Sequence, residues 1–316
     1  MPLPLVIVNP ESAGGWTRAA WPRIASDLRS HFGPFAIAFT EQPGQAVELA
    51  SDAARKGTKF IIACGGDGTI SEVANGILQS ATTAELGILP SGTGGDFRRT
   101  LEISTRTRDA ADILRNGQTR LIDVGRVTYI NPAGVEDTMY FLGVASFGMS
   151  AAVIERVKES GPEWLPAKAP KWLTGRLSFG ASMLQTAMQS PATKVVVHLD
   201  DEHERHLTVA NFCVALARYF GGGMKIAPDA KLTDGLFDVV CIGDMGARKI
   251  ITNAPRVYLG SHLSLDQVHH TLAKKIGVRT AAKDEVIALE IDGELPGHLP
   301  ATFQILPAAL RVRCPA

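Results

Sequence analysis

Over the first third of the chain, short apolar runs recur between amphipathic stretches. Leu5-Val-Ile-Val8, Phe35-Ala-Ile-Ala-Phe39, Phe60-Ile-Ile-Ala-Cys64 and Leu86-Gly-Ile-Leu89 are each four or five residues long and predict buried strands. Between them, apolar positions spaced three and four apart predict helices over 19–31, 45–56 and 70–79, with Gly57 placed to stop the second. Strand and helix in alternation predict a parallel sheet covered on both faces, a three-layer α/β domain. Ligands of such sheets bind beyond the carboxyl ends of the strands. That directs attention to the loops after Val8, Phe39, Cys64 and Leu89.

After about Asp123 the pattern changes to short β-like runs over 121–127, 138–142, 194–199, 207–215, 235–242, 286–291 and 302–307, separated by Gly- and Pro-rich turns. These predict a mostly antiparallel β-sandwich domain. Two stretches, 151–158 and 173–189, have helical periodicity. A length of 316 residues exceeds what one core usually serves. The expected division is an α/β domain over 1–123 and a β-sandwich over 124–302, with a tail over 303–316 packing back on the first.

Composition narrows the function classes. Lys+Arg and Asp+Glu are both 32, so the formal net charge is zero, which argues against a dedicated nucleic-acid binder. Cys64, Cys213, Cys241 and Cys314 form no C-x-x-C pair and read as reduced core thiols of a cytoplasmic protein. Residues 3–8 read as a first strand, too short for a signal peptide, and no apolar run approaches the ~20 residues of a membrane span. Any membrane contact is therefore expected to be peripheral. His203-Glu-Arg-His206 and His269-His270 read as polar-turn residues.

The strongest chemical signal is Cys64-Gly-Gly-Asp-Gly-Thr69, between a strand and a helix. Its glycines allow close backbone approach to a ligand, and the following helix N-terminus favours an anion. Asp67 adds negative charge where phosphate would sit, which is consistent if Mg²⁺ bridges the two. The competing structural role is a helix cap supplied by Asp67 or Thr69. Leu89-Pro-Ser-Gly-Thr-Gly-Gly-Asp-Phe97 repeats the theme on the same sheet edge, with Thr93 and Asp96 as polar groups. Asn9-Pro-Glu-Ser-Ala-Gly-Gly15 follows the first strand, and there Asn9 and Ser12 are candidate phosphate contacts. No G-x-x-x-x-G-K-[ST] loop is present, and Gly221-Gly-Gly223 lacks the strand-to-helix context of a dinucleotide fingerprint.

These three loops, in this order, resemble those of the diacylglycerol kinase catalytic-domain superfamily, specifically its bacterial lipid kinases, with sphingosine and ceramide kinases as relatives. The resemblance continues through Asp123-Val-Gly, Ser146-Phe-Gly, Asp229-Ala-Lys-Leu-Thr-Asp-Gly-Leu-Phe-Asp238 and Ile291-Asp-Gly-Glu294. It implies a nucleotide domain, a C-terminal β-sandwich like that of NAD kinases, and an active site in a cleft between them. It also implies ATP and Mg²⁺ as cofactors and transfer of the γ-phosphoryl group to a hydroxyl of a diacylglycerol-like or other long-chain lipid. By resemblance, Asn9, Ser12, Thr40, Gly65, Gly66, Asp67, Gly68, Thr69, Ile70, Ser71 and Thr93 contact the nucleotide. Asp67, Asp96 and Asp123 surround its magnesium, and Asp292 and Glu294 accept the substrate proton. Asp234, with the carbonyls of Lys231 and Leu236, is implied to hold a second, structural Mg²⁺. Gly95 stands where the family usually has Asn, and Ala13 where it usually has Gly.

Asp292 and Glu294 are two apart, so a continuing strand would turn both to one side. The alternative for this pair is a β-turn carrying two exposed acids. Residues 159–189 carry Trp164, Trp172, Leu173, Phe179, Lys168, Lys171 and Arg176, a mixture suited either to an anionic membrane surface or to a core-packing hairpin. The expected partner is thus a lipid substrate met at the inner face of the membrane, without nucleic acid; a homodimer stays open. Two rival readings remain: a soluble-substrate kinase of NAD kinase type, and a nucleotide- or lipid-binding regulator without catalysis.

Overall fold

The computed structural model describes residues 2–92, 94–159, 192–282 and 285–316. Thr93 and most of the Trp- and Lys-rich segment, including the helix expected over 173–189, lie outside the described residues. The chain forms two compact units, residues 1–124 with 307–316, and residues 125–306.

The first unit is built on β1 (Leu5–Val8), α1 (Trp16–His31), β2 (Ala36–Phe39), α2 (Gln45–Arg55), β3 (Phe60–Gly65), α3 (Asp67–Gln79), β4 (Glu85–Pro90), α4 (Asp96–Thr100) and α5 (Thr107–Asn116). The strands run parallel in the order β4-β3-β1-β2. Val6, Ile7, Val8, Ile61, Ile62 and Ala63 are fully buried, as unbroken apolar runs in a doubly covered parallel sheet should be. From β1 the chain steps one way to β2, then returns past β1 to β3 and on to β4. Right-handed crossovers therefore put α1 on one face and α2 and α3 on the other. The reversal creates a topological switch point at the carboxyl ends of β1 and β3. Helix α5, which the apolar pattern alone does not reveal, buries only Ala110, Ala111 and Leu114.

The C-terminal stretch completes this sheet. Arg311 and Val312 of β14 (Glu294–Cys314) pair in parallel with Glu85 and Leu86. Arg313 fastens it with a bidentate ion pair to Glu85 at 2.7 and 2.9 Å, and its guanidinium lies 4.8 Å from the centre of the Phe60 ring.

The second unit contains β6 (Glu136–Phe141), β7 (Val144–Gly148), α6 (Met149–Glu159), β8 (Thr193–Leu199), β9 (Arg205–Ala215), β10 (Phe237–Gly243), α7 (Ala247–Leu259), β11 (Val268–Ala273), β12 (Lys275–Thr280) and β13 (Ala288–Ile291). It also holds the later part of β5 (Gln118–Ile130) and the earlier part of β14. Each pair among β7, β9, β8, β12, β14 and β13 is antiparallel, and the pairings close on themselves: β7-β9-β8-β12-β14-β13-β7. Closure removes the free edges that an open sheet would present. Phe141, Phe147, Phe212, Phe237 and Phe303 are the largest fully buried side chains, with Phe147 and Phe212 stacked at 5.0 Å.

The four cysteines are free; Cys64, Cys213 and Cys314 are buried, and burial pushes the Cys64 thiol up to about 12. Among the described residues no helix is long and apolar enough to cross a membrane.

One packing contact tests the first unit. A Cβ at Gly76 of α3 would sit 2.3 Å from the Val47 carbonyl oxygen and 2.7 Å from Ala50 Cβ. Alanine gains about 1 kcal/mol of helix propensity over glycine, but overpacking against backbone costs about 1–3 kcal/mol. Gly76→Ala is expected to lower the midpoint of thermal unfolding; a raised midpoint would show that α2 and α3 separate freely.

Candidate active site

Three loops leave the carboxyl ends of β1, β3 and β4, and their contacts weld them into one structure. Asn9, straight after β1, donates its backbone N–H to the Cys64 carbonyl at 3.0 Å and its side-chain amide to Thr69 Oγ1 at 3.1 Å. Ser91, after β4, donates its N–H to the Gly65 carbonyl at 2.9 Å. Below them, Thr17 Oγ1 lies 2.6 Å from Ser91 Oγ and 3.2 Å from the Ser12 carbonyl. The backbones then approach so closely that side chains are excluded. A Cβ on Gly92 would fall 2.5 Å from Gly66 Cα, and one on Gly65 would fall 2.4 Å from Thr69 Oγ1.

Asp67 is the first residue of α3, yet its carboxylate reaches across to the next loop. Oδ2 accepts the N–H of Asp96 at 3.0 Å and Oδ1 that of Phe97 at 3.1 Å. It thus caps α4, a different helix from the one that the sequence suggested. Gly94 lies against this carboxylate, and a Cβ there would stand 3.0 Å from Oδ2. Asp96 is in turn ion-paired with Arg99 at 2.5 Å. Beside them, burial and the neighbouring Arg99 hold the Arg98 guanidinium below its ordinary pKa, only partly offset by Asp67 and Asp96. Glu72 on the next turn of α3 caps α2 through the N–H groups of Gly44 and Ala46, at 3.1 and 3.2 Å.

The remaining residues named from the sequence fall as follows. Gly66, Asp67 and Gly68 are half-buried at the rim, whereas Thr69, Ile70 and Ser71 are buried beneath it. Thr40 directly follows β2, is buried, and donates its N–H to the Val8 carbonyl at 2.9 Å. Ala13 has φ 55° and Gly95 φ 69°. The left-handed conformation explains how Asn can replace Gly at the second position, since Asn tolerates that region, and why Gly suits the first. Asp123 is 2% exposed and accepts the Ala308 N–H at 2.8 Å. Among the described residues no three His, Cys, Asp or Glu side chains gather as a metal-binding group. Asp67, Asp96 and Asp123 therefore do not meet at one point; each carboxylate holds a different backbone or ionic partner. Asp234 is exposed and accepts the Leu236 N–H at 3.2 Å, closing a turn around Gly235.

In the second unit Asp292 and Glu294 take the turn, the second of the two arrangements open for them. The strand does not continue. Ile291 pairs with Glu294, and Asp292-Gly293 form the two-residue hairpin turn, with φ 48° and 90°. Asp-Gly is the pair that such a turn favours. The carboxylate of Asp292 folds back on the preceding chain, accepting N–H groups from Leu142 at 3.0 Å, Gly143 at 2.9 Å and Val144 at 3.2 Å. Glu294 is exposed.

Sequence reasoning missed Glu290. It is 3% exposed, bonded to the Ser146 hydroxyl, and accepts the Gly293 N–H at 2.7 Å. Burial, opposed by these two bonds and reinforced by Asp292 and Glu294, pushes its carboxyl up to about 7. The sequence signal was faint: an acid inside the run Val286-Ile-Ala-Leu-Glu-Ile291.

With this geometry in place, relatives can be compared. Residues 4–127 match the family model of the diacylglycerol kinase catalytic domain, and residues 143–314 match that of the YegS C-terminal NAD kinase beta sandwich-like domain. A diacylglycerol kinase of Mycobacterium tuberculosis is 32% identical over 85% of this chain and 81% of its own length. The chain belongs to the diacylglycerol kinase family. One from Staphylococcus saprophyticus is 29% identical over 98% of this chain and 94% of its own. The crystal structure of a diacylglycerol kinase from Bacillus anthracis has the same fold, with a TM-score of 0.70 and 21% identity over 99% of this chain and 96% of that one. This family member is accordingly a kinase with a hydroxyl group as acceptor.

The buried acid of this kinase has a measurable consequence. A carboxyl whose folded pKa is raised contributes fully below its unfolded pKa, and that contribution is lost as pH rises through the folded value. For Glu290 the window runs from its ordinary 4.5 to about 7. Glu290→Gln should flatten the fall in unfolding free energy across this range in urea titrations; an unchanged slope would contradict the burial of an ionisable group there.

Proposed function

We propose that this kinase transfers the γ-phosphoryl group of ATP, with Mg²⁺, to a hydroxyl of a diacylglycerol-like or other long-chain lipid. The observation that carries this reading is the weld of the loops after β3 and β4. Gly66 and Gly92 meet backbone to backbone, and the Asp67 carboxylate spans the gap between them. Side-chain-free backbone at the switch point of a parallel sheet suits polyphosphate. We assign nucleotide contacts to Asn9, Ser12, Thr40, the Gly65–Ser71 loop and Thr93. Within the loop, the buried Thr69, Ile70 and Ser71 contribute through the backbone they hold in place.

The donor set fits magnesium. Mg²⁺ prefers oxygen, keeps several waters, and takes one or two carboxylates beside substrate phosphates. Asp67 and Asp96, adjacent and half-buried, are the proposed carboxylates; Asp123, which the resemblance adds to them, does not meet them at one point. When bound, the ion neutralises the phosphate charge that develops during transfer. This chain's own residues orient the nucleotide and remove the acceptor's proton. We assign that proton to Glu294, because the Asp292 carboxylate is engaged by three backbone N–H groups that fix the turn.

A long-chain acceptor resides in a lipid surface, so the enzyme is proposed to act peripherally at the inner membrane face. The segment 159–189, with its Trp and Lys side chains, is the proposed contact. Asp234, with the carbonyls of Lys231 and Leu236, is proposed as a second, structural Mg²⁺ site; its Asx-type turn already aligns the loop.

The deciding experiment supplies γ-labelled ATP and a panel of diacylglycerol, monoacylglycerol, sphingosine, ceramide, phosphatidylglycerol and NAD, with and without Mg²⁺. A Mg²⁺-dependent labelled lipid is expected, and Asp67→Ala should reduce labelling by about 100-fold or more. Label in NAD alone would move the chain to the soluble-substrate reading, and ATP binding without label to a regulator. For the second site, wild type should melt higher in Mg²⁺ than in chelator and Asp234→Ala should not. Equal Mg²⁺ responses in the two proteins would remove it.

A further inference from the structure

The carboxylate of Glu290 serves none of the phosphate loops, yet it is the most thoroughly enclosed acid beside the hairpin turn that carries Glu294. A buried carboxylate is costly unless its lone pairs are satisfied. Here the satisfaction is organised as a chain. One oxygen accepts the Gly293 N–H at 2.7 Å, and the other meets the Ser146 hydroxyl on β7. Ser146 Oγ lies 2.7 Å from Ser150 Oγ at the start of α6. Ser150 gives both its N–H and its hydroxyl to Asn211 Oδ1 on β9, at 2.9 and 2.8 Å. The Asn211 amide ends on the buried Cys213 sulfur at 3.1 Å. Four elements thus fix the rotamer of one acid.

That acid grips the second turn residue, while Asp292, the first, is gripped through its side chain by the N–H groups of 142–144. The turn is held from two sides. Its conformation needs holding, because Asp292 is a non-glycine residue at φ 48°. Glu294 follows directly. We propose that Glu290 is a positioning residue for phosphoryl transfer: through the Gly293 N–H it fixes the turn that presents Glu294, and the Ser146-Ser150-Asn211 chain fixes Glu290.

The proposal rests on Glu294 as proton acceptor, and the test separates the two claims. Transfer is measured to dioctanoylglycerol in detergent micelles, alongside amide hydrogen exchange of the peptide covering 291–294. Misplacing a reacting group by about 1 Å can cost about 100-fold. Glu290→Ala should therefore lower kcat by about tenfold or more, with KM for ATP unchanged. It should also speed exchange at Gly293. Glu290→Gln keeps an oxygen for that N–H and should recover kcat to within about threefold of wild type. Wild-type kcat or undiminished exchange protection in Glu290→Ala overturns the proposal, as does a Gln variant as defective as the Ala variant. An active Glu294→Gln would remove the proton-acceptor reading, while exchange still decides whether Glu290 holds the turn. If Glu290→Ala fails to fold, Ser146→Ala, which loosens only one carboxylate oxygen, should raise Gly293 exchange, and no rise counts against the proposal.

Discussion

The first unit depends on one carboxylate placed between two loops. Asp67 begins α3, where a negative charge already suits the helix dipole, but its oxygens go to the N–H groups of Asp96 and Phe97. Helix α4 has five residues, too few to be stable by its own hydrogen bonds. Anchoring its first turn to Asp67 gives it a fixed place, and the glycine requirements follow. A side chain at Gly94 would crowd the carboxylate, and Gly92 must be bare because the Gly66 backbone lies against it. Charge placement and backbone approach are therefore one constraint. The departures at Ala13 and Gly95 fall outside that constraint, at positions of positive φ on the flanks of the weld.

Much of this could be read from the chain. β1, β3 and β4 are buried apolar runs, so their places in the sequence are unambiguous, whereas β2, expected to be buried, lies at the sheet edge with Ile37 and Phe39 exposed; the loops at the ends of β1, β3 and β4 combine glycine with acid in a way few plain turns need. What escaped has physical causes. Helix α5 is strongly amphipathic but buries only two alanines and one leucine, so no apolar run marks it. Helix α7 contains Pro255 and buries none of its described residues. β14 runs through Pro296, Pro300 and Pro307, which break the pattern on paper; the sequence showed only its middle. At the loops, sequence identifies the acid but not its partner. Asp67 looked like a cap for its own helix or a metal ligand, and its bonds to α4 exist only once the two strand ends lie side by side.

In the second unit the same limit operates on a pair of acids two residues apart. Spacing left two arrangements open for Asp292 and Glu294, one face of a continuing strand or a turn, and the left-handed Asp292 and Gly293 reverse the chain between them. The two carboxylates then have different surroundings. One is saturated by three amides, the other exposed. Glu290 adds a third environment, buried and facing the inside of the hairpin. Its neighbours Leu289 and Ile291 are also buried, so alternation could not mark it as special.

Phosphoryl transfer asks a protein for position and charge more than for covalent chemistry. Both units meet that demand by the same device, a carboxylate that accepts backbone N–H groups from a second segment. Asp67 does so for α4, Glu72 for α2, Asp123 for the C-terminal stretch at Ala308, and Asp292 for the chain at 142–144. A charge-assisted bond to a backbone N–H is stronger than a neutral one and fixes direction as well as distance. Loops rich in glycine lose the most conformational freedom on folding. They are the segments that most need such anchors if they are to present a rigid surface to a phosphate. Asp67 and Asp292 therefore hold the backbone of two such loops, and Glu72 and Asp123 do the same from within a helix and a strand.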